Sequence, residues 1–259
     1  MKRAIFVVAI WSLVGCASSP DAPDFKSTVD TSGQENDSRG RARIHTELAS
    51  GYFELGSMGV ALEEVNEALR AEPGYGPAYN VAGLIYAELK EDRRAQEAFQ
   101  QALRINPVDS DANNNYGRFL CDRKREEEAI KYFLAALRNP LYQTPERSYL
   151  NAGLCSRRRG DIASAEDYFQ KALKVSPNQP QVVYQLAEIA YARGGYAQAK
   201  THLTRLQRLA PANAESLWLA LRVERKLGDR AAAASYSKQL TNKFPNSKEA
   251  QALLAGRDE

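Results

Sequence analysis

From about residue 42 the chain repeats itself, and no other feature restricts its fold as strongly. Segments beginning at Ala42, Gly76, Ser110, Glu146, Pro180 and Ala214 superimpose, each step being 34 residues except for the 36 between Ser110 and Glu146. Position 20 is alanine in all of them: Ala61, Ala95, Ala129, Ala165, Ala199 and Ala233. Position 8 is small in Ala49, Gly83, Gly117, Gly153 and Ala187, and Leu221 is the exception. Position 27 reads Ala68, Ala102, Ala136, Ala172, Leu206 and Leu240. Position 32 is Pro73, Pro107, Pro177, Pro211 or Pro245, with Leu141 in that slot of the third segment. A period of this length is the mark of one small structural unit stacked many times.

Each unit reads as two helices. Apolar residues recur at three- and four-residue intervals within each half-segment, as in Ala95, Ala98, Phe99, Ala102 and Leu103, which marks one face of a helix. The helices join near position 15, where Gly160-Asp161 and Gly228-Asp229 supply a helix terminator followed by an N-cap. Small residues at positions 8 and 20 let the paired helices come close, while Tyr86, Phe99, Phe133 and Phe169 fill the space between them. The proline near position 32 stops the second helix. No pair can cover its own apolar face, so neighbours must stack and share a core. The pattern resembles the tetratricopeptide repeat over nearly all of the chain after residue 41. The expected fold is therefore all-α: a right-handed α-solenoid of six such helix-turn-helix repeats (42–75, 76–109, 110–143, 146–179, 180–213 and 214–247), closed by a capping helix over 248–259.

The start of the chain reads differently. Lys2 and Arg3 precede an apolar run from Ala4 to Val14, interrupted by Ser12. The run is shorter than the roughly 20 residues that cross a bilayer, but it suits a signal-peptide core over residues 1–15. Leu13-Val14-Gly15-Cys16 resembles a bacterial lipobox, which implies a diacylglycerol on Cys16 and its acylation, palmitate being typical, as the mature N-terminus. The alternative is a plain secretory peptide ending in a chance cysteine. Ala17 after the cysteine, rather than Asp, favours the outer membrane by the same resemblance. Residues 16–41 are rich in Ser, Asp, Pro and Gly, with Phe25 and Val29 their large apolar residues before the repeats, and are expected to be a disordered tether.

Two cysteines remain. Cys121 and Cys155 fall at positions 12 and 10 of consecutive repeats, both on first helices. Neighbouring helices pack about 8–10 Å apart and a two-residue offset is about 3 Å of rise. A disulfide is thus geometrically open, and an oxidising compartment would favour it; two buried thiols are the alternative.

Charge and motifs exclude more than they suggest. The 35 basic and 32 acidic residues leave a net charge of +3, no basis for a nucleic-acid partner. No phosphate loop, His-Glu-x-x-His, nucleophile elbow or Cys-x-x-Cys occurs. His45 and His202 lie in different repeats. Glu126-Glu127-Glu128 and Arg157-Arg158-Arg159 suit a helix start and a helix end, respectively, and the arginines could also meet an acidic partner. No catalytic residue, cofactor, metal or small-molecule substrate is expected.

Function should lie on the concave side, which the repeat resemblance assigns to positions 2, 5, 9, 12 and 13 of the first helices. On this chain they include Asn80 and Leu84, then Asn114, Arg118 and Asp122 with Asn115 adjacent. They continue with Leu150, Leu154, Arg157 and Arg158, and with Tyr184, Glu188 and Tyr191. Asparagine is a poor helix former, so the run Asn113-Asn114-Asn115 is unusual. Its amides can donate to and accept from an extended peptide backbone, and Asn114 is expected to face the groove. The clamp of Lys and Asn that holds C-terminal carboxylates in chaperone-binding relatives is lacking.

A lipobox, an acidic tether, six repeats, the cysteine pair and the stretch Asn-Asn-Tyr-Gly-Arg-Phe-Leu-Cys (Asn114 to Cys121) together resemble the PilF/PilW family of type IV pilus biogenesis and stability lipoproteins. That resemblance implies a non-enzymatic pilotin, lipid-anchored at the inner leaflet of the outer membrane. Its partner would be the pilus secretin, PilQ, whose localisation and multimerisation it promotes. Alternatives are a scaffold for another envelope complex, in peptidoglycan synthesis or outer-membrane protein assembly, and, more remotely, a cell-wall hydrolase or transferase.

Overall fold

The computed structural model describes residues 31–256. Cys16, the signal-peptide segment and the first part of the expected tether lie outside them, as do the last residues of the expected capping segment. The described residues form thirteen α-helices and no strand: α1 (Thr31–Glu54), α2 (Met58–Ala71), α3 (Gly76–Glu88), α4 (Asp92–Ile105), α5 (Ser110–Asp122), α6 (Glu126–Ala136), α7 (Pro145–Arg158), α8 (Ile162–Val175), α9 (Pro180–Ala192), α10 (Tyr196–Leu209), α11 (Ala214–Leu227), α12 (Arg230–Lys243) and α13 (Lys248–Leu254). Helices pair in sequence, α1 with α2 through α11 with α12, and each pair packs on the next. This is the tetratricopeptide solenoid. The tether expectation for 16–41 needs one correction: α1 is already helical from Thr31. Its first turns continue the repeat's own helix, and Ala42 within it is fully buried against Ala68 and Ala78.

The joint between the helices of every pair turns in the left-handed region at position 15. Glycine takes it at Gly56, Gly160, Gly194 and Gly228, with φ between 75° and 87°. Lys90 (φ 63°) and Lys124 (φ 59°) take it in the second and third pairs, an uncommon conformation for a residue with a Cβ. Asp161 and Asp229 then cap α8 and α12, accepting from the backbone N–H of Ser164 and Ala232.

Within a pair, the size of position 8 is set by the side chain at position 24. Gly83, Gly117 and Gly153 lie against the rings of Phe99, Phe133 and Phe169; a Cβ there would sit 2.6, 2.7 and 2.5 Å from ring carbons. Where position 8 is alanine, position 24 shrinks to Val65 or Leu203, opposite Ala49 and Ala187. Where position 8 is Leu221, position 24 is Ser237. The exception in the sequence pattern is thus an exchange of volume between two helices, as close packing requires. The alanines at position 20 are 0% exposed in five pairs and 7% in the sixth.

The 36-residue step places its extra residues between α6 and α7, where Leu141 is 77% exposed. A disulfide spans that joint: Cys121 on α5 and Cys155 on α7 are bonded, with Cα atoms 5.9 Å apart and both side chains buried.

Gly117→Ala drives a methyl into the Phe133 ring and towards the Ala129 carbonyl oxygen, 3.1 Å from the built Cβ. The expected cost is about 1–3 kcal/mol, read as a lower midpoint in urea unfolding. Adding Phe133→Leu to the same chain should recover part of the loss.

Candidate functional site

The predicted groove residues lie on the first helices α3, α5, α7 and α9, and they separate there into glue and surface. The asparagine run is glue. Asn113 donates to the carbonyl oxygens of Pro107 (3.0 Å) and Asp109 (2.8 Å). Asn115 donates to Asn80 Oδ1 of the preceding repeat at 3.2 Å. The expectation that Asn114 meets a ligand is overturned: it is 1% exposed, and its Oδ1 accepts from Ser148 Oγ (3.1 Å) and Asn151 Nδ2 (2.9 Å) of the following repeat. Asparagine is tolerated mid-helix because Asn114 and Asn115 replace helix propensity with bonds between repeats, while Asn113 ties the start of α5 to the loop before it. Leu84, Leu150 and Leu154 are half-buried against core clusters shared with neighbouring repeats.

The charged members pair along the same side. Arg158 donates to the Asp122 carboxylate (3.1 Å) and to the Cys121 carbonyl oxygen (2.9 Å), bridging α7 to α5 beside the disulfide. Arg157 reaches Glu188 at 2.6 Å and also bonds Gln185, bridging α7 to α9. Tyr184 donates its hydroxyl to Glu188 at 3.2 Å. Burial, then the charges of Glu188 and Glu215, raise the Tyr184 phenol well above its ordinary value, so it remains a donor across the physiological range. Tyr191 lies beneath the Arg222 guanidinium, 4.6 Å from the ring centroid. Arg118 stays exposed on α5. Among the described residues no group of three or more His, Cys, Asp or Glu could hold a metal ion.

A pocket of about 270 Å³ between α1, α3 and α5 is lined by Leu84, Asn115, Arg118 and Asp122 among others, and two further surfaces stand open. One is a cleft of about 740 Å³ between α9, α11 and α13, lined by Tyr184, Glu188, Glu215, Trp218, Lys248 and Glu249 among others. Of the predicted groove residues, Tyr184 and Glu188 fall in it. The other was missed by the groove positions altogether: an apolar strip formed by Ile44, Leu48 and Tyr52 on α1 and Leu55 just after it. Ile44 is 51%, Leu48 44% and Leu55 78% exposed. Ile44 and Leu48 occupy positions 3 and 7, which in α3 are Ala78 and Ala82, buried against the preceding pair. In α9 they are Val182 and Leu186, equally buried. The α1 strip is therefore a stacking face with no preceding pair among the described residues to receive it. The signal was present in the sequence, as large apolar residues at stacking positions of the first repeat.

Such an array defines the chain as a helical-repeat scaffold of the tetratricopeptide class. Comparisons with known proteins agree: tetratricopeptide repeat profiles match residues 76–109, 93–144, 157–223 and 216–247. The structure is similar to the crystal structure of PilW, described as a widely conserved type IV pilus biogenesis factor, at 36% identity and TM-score 0.75, covering 82% of this chain and 98% of that one. It is similar to Pseudomonas aeruginosa PilF at 31% identity and TM-score 0.77, covering 86% and 99%. In sequence, the type IV pilus assembly protein PilF of Pseudomonas aeruginosa matches at 36% identity over 93 residues, 36% of this chain. That match spans 37% of the curated relative's length. The chain belongs to the tetratricopeptide-repeat family of type IV pilus biogenesis factors that includes PilW and PilF.

The inter-repeat role of Asn114 is testable. Asn114→Ala leaves the Ser148 hydroxyl only its longer bond to the Tyr142 hydroxyl (3.4 Å) and strands one donor of Asn151, and is expected to cost about 1–3 kcal/mol. Chemical denaturation of the purified protein measures it.

Proposed function

We propose that this chain is a non-enzymatic assembly factor of the type IV pilus, held at the outer membrane by lipid on Cys16, that binds the pilus secretin and promotes its multimerisation. The α1 strip carries this reading. Large exposed apolar side chains grouped on one face mark a contact surface, and here they sit where the solenoid would accept one more helical pair. Ile44 and Leu48 are already about half covered, so completing the burial of each contributes about 1 kcal/mol, and several together can hold a partner. The kinship with PilW and PilF supports the pilus as the setting. The acids of the concave side bind bases of neighbouring repeats, Asp122 with Arg158 and Glu188 with Arg157, which supports contact rather than acid–base chemistry. Lipid on Cys16 would concentrate partners at the membrane by confining encounters to one surface.

The test replaces Ile44 and Leu48 together by Glu in the full chain. Exposed substitutions of this kind change stability by about 0.5 kcal/mol or less, so helicity and expression should hold. Secretin multimers and surface pili should be lost. Intact multimers in cells carrying this variant would remove α1 from the interface. Separately, Cys16→Ser should remove the protein from the outer-membrane fraction and abolish fatty-acid labelling; unchanged outer-membrane association would remove the lipid anchor.

A further inference from the structure

The cleft between α9, α11 and α13 lies at the other end of the repeat array from the α1 strip, and the pilus reading makes no use of it. Its volume of about 740 Å³ falls within the range of sites that enclose a ligand or an anchoring side chain. Its electrostatics are unbalanced. Glu188 is committed, to Arg157 through one oxygen and to the Tyr184 hydroxyl through the other. Glu215 and Glu249 share the single ammonium of Lys248, at 3.7 and 3.6 Å. Neither carboxylate accepts a side-chain hydrogen bond among the described residues. Glu249 is 7% exposed, yet its cation is carried on a lysine side chain that is 82% exposed. Two carboxylates against one ammonium leave the cleft one cation short.

Aromatic groups stand beside this deficit. Trp218 is half-buried on α11, and its indole N–H makes no hydrogen bond among the described residues; Tyr184 faces it from α9. A cation between a carboxylate and an indole face gains from both, and an extended backbone running through the cleft could accept from the indole N–H. The Gln251 side chain, exposed on α13, offers both a donor and an acceptor to the same backbone. We propose that this cleft binds an extended peptide segment through one arginine or lysine side chain, inserted between Trp218 and the carboxylates of Glu215 and Glu249. Lys248 is then a competitor that the incoming cation displaces.

That last feature gives the test its direction. The full chain in detergent micelles is titrated with nine-residue Gly-Ser peptides carrying Arg, Lys, Gln or Glu at the centre. The readout is the indole N–H resonance of Trp218, assigned with a Trp218→Phe variant. The Arg and Lys peptides should shift it, more weakly as salt rises, and the Gln and Glu peptides should not. Glu215→Gln, at an exposed position where folding is not at risk, should weaken binding about fivefold. Lys248→Ala should tighten it about threefold, an effect that a structural role for the lysine would not produce. The Ile44 and Leu48 variant should bind as the parent does, so failure of the pilus reading leaves this result standing. Equal shifts from the Arg and Gln peptides would overturn the proposal, as would weaker binding on removal of Lys248. A shift produced by an N-acetylglucosamine tetramer and by none of the peptides would also overturn it, reassigning the cleft to glycans.

Discussion

The contact between position 8 on the first helix of each pair and position 24 on the second decides how closely the two can lie, and everything else in the array inherits that spacing. Three pairs settle it with glycine under a phenylalanine ring, two with alanine under Val65 or Leu203, and one with Leu221 over Ser237. The summed volume changes little while its division between helices changes greatly. Close-packed interiors transmit such errors, since a methylene too many in one layer moves the next. A constant pair spacing is what lets α5 meet α7 with Cys121 and Cys155 in bonding register despite the longer loop between α6 and α7.

Much of this architecture was legible in the sequence, because its rules are local and repeated. Alanine at position 20, the position-15 turn and the proline stop recur often enough to identify six pairs without any long-range information. What escaped was information that resides in pairs of positions. Leu221 looked like a defect until Ser237 was set beside it. Asn114 looked like a groove residue because its periodicity places it on the concave side, but the amide turns along the array and meets Ser148 and Asn151 of the next repeat. Periodicity gives the face of a helix; it does not say whether a polar side chain there reaches outward to a ligand or sideways to a neighbour. The tether boundary failed for a related reason. The composition before residue 42 is polar, yet α1 begins at Thr31 because helix formation there extends a segment already anchored by buried Ala42.

The two ends of the array are finished differently. At the far end α13 covers α11 and α12, with Ala250 fully buried beside Leu217 and Leu240. At the near end Ile44 and Leu48 keep the spacing of a stacking face, with no pair among the described residues to stack on. A repeat protein needs both ends closed to remain soluble on its own, so an open end is stable only while its apolar side chains are few or covered. This asymmetry gives the molecule a direction. A helical partner added at α1 would extend the solenoid, whereas a ligand in the α9–α11–α13 cleft would lie across it, and the two could be held at once.

The disulfide has a mechanical consequence for an array that is pulled from its ends. Tension applied along a solenoid peels helices off one after another, lengthening the chain as it goes. The bond between Cys121 and Cys155 closes off a stretch with a sequence separation of 34. At about 3.3–3.6 Å per extended residue, that withholds roughly 110–120 Å of slack from any pull passing through the middle of the molecule. A strap at the waist therefore limits how far the array can stretch before force reaches whatever it holds.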